Sequence, residues 1–383
     1  MIAIRTKVSA DIGIGHIVRM QHLSKEFQSL GKDVVFILDY PIDNISPYIQ
    51  SANVIYLSDK KIKYPQAEDA KKVISLLKNM TIEMIILDCY ELSIEWENII
   101  KDEAYKLAVV DDILRKHNCD YIIDQKYAKE NTAAQYDKLV PNKCIKLLGP
   151  QYAILSSDYQ NNKINKSKSF NILFSLGGGG DLNIIRKIIS KLANKKIVLQ
   201  VVIGPLSRGK KEIKELAEKH KSVQLIENAP TLYPYYKEAS LFIGTLGTSF
   251  YECRALKIPS ITFSTAKNHE KNNKELSYLE DYGHYLHLNL NELQVTDSMV
   301  SLILLISEKI KRIRALSNKA IINVDGFGAN RIASILCGYE KAIELLNNCG
   351  DIFAWAPSLR GWLKDPDYVF WLGAGGLIFG SPK

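Results

Sequence analysis

The sequence predicts an α/β protein built from two doubly wound domains. Short apolar runs alternate with amphipathic stretches along most of the 383 residues, which is typical of the crossover units of parallel sheets. The alternation stops at the polar, lysine-rich segment 160–169 and then restarts. Because one hydrophobic core rarely serves more than ~250–300 residues, two cores are expected.

The first domain is expected to span residues 1–158. Its strand-like runs are short, apolar and bounded by turn residues, and they lie at residues 2–4, 34–38, 54–57, 84–87, 107–110 and 121–123. Residues 18–30 and 67–79 instead show helical spacing of apolar side chains. Strands that alternate with helices predict a parallel sheet with helices on its faces.

The second domain is expected to span residues 170–346 and to repeat this plan. Its strand-like runs lie at residues 170–175, 197–203, 223–225, 241–243 and 260–263. Helical patterns follow at residues 299–317 and from about residue 330 to 346. In two facing sheets of this kind, a ligand is expected in the crevice between the domains, at the carboxyl ends of the strands.

Residues 347–383 differ in character and are expected to form a C-terminal extension. The extension carries three of the four tryptophans, Trp355, Trp362 and Trp371. Its apolar stretch 368–380 is too short to span a bilayer, and its glycines argue against a helix. Packing of this aromatic tail on the body is favoured, and contact with a membrane surface or a partner is the alternative.

The composition argues against a disordered, a membrane-spanning and a nucleic-acid-binding protein. The chain is 46% apolar and 24% charged, as in folded globular proteins, and no apolar run reaches the ~18 residues of a membrane-spanning helix. The net charge of +8 is spread over several patches, so nucleic-acid binding is not expected. Six widely spaced cysteines and a start without a secretion leader predict a cytoplasmic protein with reduced thiols.

A first glycine motif lies between the first strand and the first helix. Gly13 and Gly15 allow a tight turn, but Val18 holds the position of the third glycine of a dinucleotide fingerprint. His16 stands at the strand end, on the side of the predicted cleft. A neutral imidazole there can take a proton from water, which makes His16 a candidate general base. The alternative is a structural hydrogen bond at the helix start.

Two further glycine loops follow strands of the second domain. The run Gly177, Gly178, Gly179 and Gly180 can bring amides onto phosphate oxygens, or it can be a flexible turn; without a Lys-Ser/Thr pair it is not a P-loop.

The second of these loops is followed by an acidic residue. After Gly247, Thr248 and Ser249 can bind phosphate or only cap a helix, and Glu252 can accept from a ribose. Together the two loops predict a nucleoside diphosphate site, and no metal ligand set is expected.

Ordered blocks along residues 1–340 carry a family resemblance. They are residues 13–19 (GIGHIVR), 87–90 (LDCY), 110–112 (VDD), 117–120 (HNCD), 148–155 (LGPQYAIL), 175–178 (SLGG), 247–249 with Glu252, and 325–331 (DGFGANR). The set resembles the UDP-2,4-diacetamido-2,4,6-trideoxy-β-L-altropyranose hydrolases of pseudaminic acid biosynthesis. The resemblance implies the GT-B architecture, in which two Rossmann-like domains face a cleft.

The resemblance also implies a reaction and its residues. A UDP-sugar would be hydrolysed to the free sugar and UDP, with inversion and without metal or cofactor. His16 would activate the water, and Tyr90 of the Asp-x-Tyr block would assist. The sugar would be bound by Gly13, Gly15, Arg19, Asp88 and Asn268. UDP would be bound by Gly177, Gly178, Gly179, Gly180, Gly247, Thr248, Ser249 and Glu252.

The chain departs from the family pattern at three places. Lys7 stands where the family usually has an acid, Asn268-His269 stands where Asn-Gln is usual, and the tail from Asp351 has no counterpart. Two other functions therefore stay open. One is a glycosyltransferase that uses a nucleotide-sugar donor for surface polysaccharide, and the other is a nucleotide-sugar-binding module without activity.

Overall fold

The structure is a computed structural model of the whole chain. It describes residues 1–8, 14–42, 48–49, 52–160, 169–263, 281, 283, 286–289, 293, 296–338, 369–373 and 376–380. Within these residues the protein has two parallel sheets covered by helices, which confirms the predicted α/β class.

The first sheet has seven parallel strands in the described residues, in the order β3-β2-β1-β4-β5-β6-β7. The strands are β1 (Ile2–Thr6), β2 (Val34–Leu38), β3 (Asn53–Tyr56), β4 (Met84–Asp88), β5 (Leu107–Val110), β6 (Tyr121–Asp124) and β7 (Ile145–Leu148). Helices α1 (Gly15–Ser29), α2 (Gln66–Leu77) and α3 (Ile94–Asp102) cover it. The central strands β1, β2 and β4 are buried along their whole length, because helices pack on both faces.

The second sheet has six parallel strands in the described residues, in the order β10-β9-β8-β11-β12-β13. The strands are β8 (Phe170–Ser175), β9 (Ile197–Ile203), β10 (Val223–Glu227), β11 (Leu241–Thr245), β12 (Ser260–Phe263) and β13 (Leu286–Leu288). Its helices are α4 (Asn183–Leu192), α5 (Lys210–Lys219), α6 (Tyr233–Glu238), α7 (Thr248–Ala255) and α8 (Thr296–Ser317).

The last helix, α9 (Gly328–Leu336), returns to the first domain. Its residues Ala329, Ile332 and Ala333 belong to the hydrophobic core that also contains α1. The amide Nδ2 of Asn330 donates to Glu26 of α1 at 3.0 Å. The range 170–346 that the sequence assigned to the second domain therefore contributes a helix to the first, because the apolar face of α9 is buried against α1. Residues 339–346 of the expected last helix lie outside the described residues.

The C-terminal extension contains an antiparallel pair of strands, β14 (Val369–Gly373) and β15 (Gly376–Gly380), with Trp371 opposite Ile378. Residues 351–368 lie outside the described part. The expected packing of the tail on the body thus stays a prediction. In the described part of the chain, no helix has the length and apolarity needed to cross a membrane.

Candidate active site

His16 is held by a buried carboxylate at the carboxyl end of the first sheet. His16 is the second residue of α1 and is 7% exposed, whereas Asp88 ends β4 and is fully buried. The imidazole Nδ1 lies 2.6 Å from Asp88 Oδ1. Because a carboxylate only accepts hydrogen bonds, this contact requires a proton on Nδ1 of His16. The other nitrogen, Nε2, is then the basic atom.

Arg19 keeps Asp88 ionised. Its Nε donates to Asp88 Oδ2 at 2.7 Å, and its Nη2 donates to Asp88 Oδ1 at 2.5 Å. Burial by itself would raise the pKa of Asp88, but Arg19 and His16 outweigh burial and hold that pKa at about 2. Asp88 and Arg19, which were expected to bind sugar, therefore lie behind His16 and bind each other.

Tyr90 lies beside His16. The two rings meet edge to face with their centroids 4.7 Å apart. The Tyr90 hydroxyl donates to Asp112 Oδ1 at 2.5 Å. Burial and the Asp112 charge raise the pKa of Tyr90 well above its ordinary value, so Tyr90 is a neutral phenol. Asp112 belongs to the block 110–112 but was not among the expected site residues, although it follows β5 at the same sheet edge as Asp88.

A buried charge network lies behind Tyr90. The imidazole of His117 is 2.7 Å from Glu97 Oε1 and 3.4 Å from Asp111 Oδ2. Burial would lower the pKa of His117, but the two carboxylates outweigh burial and raise that pKa to about 9. Arg115 pairs with Asp111 and also donates to the backbone oxygen of Tyr90 at 2.8 Å. The network thus fixes the backbone at Tyr90.

The glycine loop of the second domain follows β8. The backbone oxygens of Gly178 and Gly180 accept from the N–H groups of Leu206 (2.8 Å) and Arg208 (3.0 Å). Among the described residues, no hydrogen-bond acceptor is recorded for the amides of Gly178, Gly179 and Gly180. The loop thus has its carbonyl groups occupied and its amides available to an anion.

This loop touches the start of α1. A Cβ atom added to Gly178 would lie 2.5 Å from Ile14 Cγ1 and 2.9 Å from the backbone nitrogen of Ile14. Ile14 precedes His16 by two residues. The glycine loop and the candidate base therefore face each other across the junction of the two domains.

The other predicted loop leads into α7. Gly247 is the N-cap of this helix, and no side chain caps the helix. Thr248 and Ser249 are its first residues, so their amides stay open to an anion.

Glu252 lies one turn further along α7 and is buried, with Oε1 accepting from the hydroxyl of Tyr159 at 2.9 Å. Burial raises the pKa of Glu252, and the nearby hydroxyls of Tyr159, Tyr236 and Ser249 oppose this shift.

The remaining predicted positions are less informative. Gly15 begins α1 with open space around its Cα, and Gly13, Asn268 and His269 lie outside the described residues. The ammonium of Lys7 lies 2.9 Å from Asp39 and 2.7 Å from Glu91. Lys7 also lines a cavity of about 220 Å³ whose wall carries both cations and carboxylates.

In the described part of the chain, no three His, Cys, Asp or Glu side chains come together as a metal site would require. Cys89, Cys119, Cys144, Cys253 and Cys337 are free thiols, and Cys349 lies outside the described residues.

Known proteins resemble this chain in sequence and in structure. No protein-family model matches it. The UDP-2,4-diacetamido-2,4,6-trideoxy-β-L-altropyranose hydrolase of Campylobacter jejuni is 28% identical over 269 residues, which are 70% of this chain and 92% of the relative. This similarity confirms the resemblance drawn from the ordered sequence blocks.

Two solved structures define the class of fold. MurG of Acinetobacter baumannii matches with a TM-score of 0.60 at 10% identity, over 88% of this chain and 99% of MurG. The UDP-GlcNAc 2-epimerase of Neisseria meningitidis, solved with UDP-GlcNAc, matches with a TM-score of 0.58 at 13% identity, over 88% and 99% of the chains. The fold is the GT-B fold. Within that class, the chain is similar in sequence to the Campylobacter hydrolase.

Proposed function

We propose that the protein is a metal-independent hydrolase that cleaves a UDP-linked 2,4-diacetamido-2,4,6-trideoxy hexose to the free sugar and UDP, in pseudaminic acid biosynthesis. The observation that carries the proposal is the buried Asp88–His16 pair. His16 lies at the start of α1, and Ile14 at this helix start contacts Gly178 in the glycine loop of the other domain. The similarity to the Campylobacter hydrolase supports the sugar.

His16 acts as the general base in the proposed reaction. Its Nε2 takes a proton from water while the water oxygen attacks the anomeric carbon on the face opposite UDP. The anomeric C–O bond breaks, its electron pair goes to the β-phosphate oxygen, and the configuration inverts. Asp88 is anionic and bound to Nδ1, so it stabilises the imidazolium that forms. Tyr90 assists from beside the imidazole.

The second domain binds UDP through backbone donors. The Gly177 amide already donates to Ser175 Oγ at 3.5 Å. The open amides of Gly178, Gly179 and Gly180 and the uncapped start of α7 at Gly247, Thr248 and Ser249 bind the diphosphate, and they stabilise the charge that develops as UDP leaves. These donors stabilise the diphosphate charge, as a divalent cation does in other enzymes. Glu252 already accepts from Tyr159 through one oxygen, and its second oxygen accepts from a ribose hydroxyl.

In this proposal, the first domain and the loop that carries Asn268 recognise the sugar. Gly13, Gly15 and Asn268 contact the sugar in this proposal, whereas Arg19 and Asp88 act from behind His16. The buried free thiols fit a protein of the reducing cytoplasm.

Transfer is the second candidate function. In a GT-B glycosyltransferase the same base would remove a proton from an acceptor hydroxyl in place of water. A base at His16 could take the proton of either nucleophile, so the nucleophile itself must be measured.

The deciding experiment follows UDP release from synthetic UDP-sugars, with no acceptor, in water enriched in oxygen-18. We expect release of UDP from the diacetamido-trideoxy sugar, with the label in the sugar and not in UDP. Early NMR spectra should show the inverted anomer, and His16→Ala is the inactive control. Release only after an acceptor is added would support transfer, and binding without release would support a binding module.

A further inference from the structure

Arg19 lies between two carboxylates. Its Nε and Nη2 contact Asp88 at 2.7 and 2.5 Å, and its Nη1 lies 3.6 Å from Asp112 Oδ2. Each carboxylate also holds one candidate catalytic side chain. Asp88 binds the Nδ1 of His16, and Asp112 accepts from the hydroxyl of Tyr90. One guanidinium thus joins the partner of the base to the partner of the tyrosine.

The guanidinium of Arg19 and its two carboxylate partners are largely buried. The side chain of Arg19 is 7% exposed, that of Asp88 is 0% exposed and that of Asp112 is 18% exposed. A planar guanidinium can satisfy two carboxylates at once, because its donors are fixed in a fork. Arg19 Nη2 also lies 3.2 Å from His16 Nδ1, but both nitrogens lie nearer to Asp88 Oδ1, at 2.5 and 2.6 Å, so both donate to that carboxylate. Arg19 therefore has its donors directed at Asp88 and Asp112.

We propose that Arg19 and Asp112 are positioning residues that hold His16 and Tyr90 as one unit. This inference rests on the proposed function. Arg19 fixes Asp88, which keeps the proton of His16 on Nδ1. Arg19 also steadies Asp112, which takes the only hydroxyl proton of Tyr90. Tyr90 then presents an oxygen lone pair and accepts a hydrogen bond from the attacking water or from a sugar hydroxyl or amide.

A double-mutant cycle tests Asp112. Because Asp112 acts through Tyr90, Asp112→Ala and Tyr90→Phe should each lower kcat/KM by ~10–100-fold, and the double variant should lie within ~3-fold of Tyr90→Phe. Asp112→Asn keeps an acceptor oxygen and should recover most of the loss of Asp112→Ala. Multiplying losses, or an Asn variant as poor as the Ala variant, would overturn the assignment.

Two controls accompany the cycle. Asp102→Asn changes an exposed carboxylate at the end of α3 and should keep the parental kcat/KM. UDP affinity of every variant should match the parent, since the UDP site is in the other domain. A variant that fails this binding check is misfolded, and Asp112→Asn then decides the question, because it is nearly isosteric.

A spectroscopic measurement tests Arg19 without turnover. Nitrogen-15 spectra of histidine-labelled protein should show His16 with its proton on Nδ1, and Arg19→Lys should shift the proton toward Nε2. Lysine offers a single point charge and cannot hold both oxygens of Asp88. An unchanged tautomer in Arg19→Lys would overturn the role of Arg19. A parent that releases no UDP would instead contradict the proposed function, and the spectrum would still decide about Arg19.

Discussion

The two sides of the cleft prepare for a ligand in opposite ways. On the first-domain side, His16, Asp88, Arg19, Tyr90 and Asp112 are charged or polar side chains already bound to one another. On the second-domain side, the donors are the backbone amides of Gly178–Gly180 and of a helix start, which bind no acceptor among the described residues.

This difference assigns proton transfer to the first domain and anion binding to the second domain in the proposed function. Proton transfer needs a side chain with a fixed tautomer and a fixed direction, and such a group must be supported by neighbours before substrate arrives. Binding of an anion needs only converging donors, which glycine loops and helix starts provide without side chains. Substitutions on the first side should therefore change turnover, and those on the second side should change nucleotide affinity.

The largest effect is expected from His16→Ala. The variant should lose turnover by ~10²–10⁴-fold, which is the usual contribution of a positioned general base. UDP affinity should stay at the parental value, because the proposed UDP site lies in the other domain. Calorimetry with UDP and initial rates of UDP release measure the two quantities. Turnover within a few-fold of the parent would show that another group is the base.

The contact between the two sides is the next target. Gly178→Ala places a methyl group 2.5 Å from Ile14 Cγ1 and 2.9 Å from the Ile14 nitrogen, so the loop must move away from α1. Displacing reacting groups by about 1 Å can cost ~10²-fold in rate, and we expect kcat/KM to fall by ~10–100-fold. Adding Ile14→Ala, which removes the nearer atom, should restore part of the rate. Parental kcat/KM in Gly178→Ala would refute close approach during catalysis.

Glu252→Ala tests the nucleotide side. A charge-assisted hydrogen bond contributes roughly 1.5–3 kcal/mol in a desolvated site, so UDP should bind at least about tenfold more weakly. Glu238→Ala, an exposed acid at the end of α6, is the matched control. Tyr159→Phe removes one hydroxyl that donates to Glu252 and separates this structural contact from ribose binding. Unchanged UDP affinity in Glu252→Ala would remove the nucleotide site from this helix.

Local patterns predicted the fold well because most strands are apolar and buried. The bounds of β8 and β9 match the predicted runs 170–175 and 197–203. The edge strands β7 and β13 were not predicted, because Lys146 and His287 interrupt their apolar pattern. An edge strand is covered less than a central strand, so its sequence carries a weaker signal.

The sequence names the residues of the candidate site but not the contacts between them. His16 could be placed at a helix start from its neighbours, whereas Asp88 and Tyr90 came only from the family resemblance. The bond between His16 and Asp88 joins residues 72 positions apart, and Asp112 reaches Tyr90 from another strand end. Such pairings depend on how strands are ordered in the sheet, which a local pattern does not specify. The return of α9 to the first domain was missed for the same reason.

The network behind Tyr90 predicts a pH dependence of stability. The pKa of His117 is about 9 in the folded protein, above the ordinary value of 6.5. Its stabilisation is thus complete below pH 6.5 and is lost as the pH rises through 9, by about 3 kcal/mol. Urea unfolding should show this fall in the free energy of unfolding between pH 6.5 and 9.5. The fall should shrink in His117→Gln and persist in His220→Gln, a histidine of the second domain; an equal fall in all three proteins would exclude His117 as its source.

The smallest effect is expected from removing divalent cations. In the proposed function, loop amides and the start of α7 bind the diphosphate, so backbone dipoles would stabilise the leaving UDP without a cation. In the described residues, no three potential ligands meet to hold a metal. Initial rates of UDP release should therefore be the same before and after dialysis against EDTA. A loss of rate that magnesium or manganese restores would show that the second-domain side binds its anion through a metal, and the contrast between the two sides would then have to be redrawn.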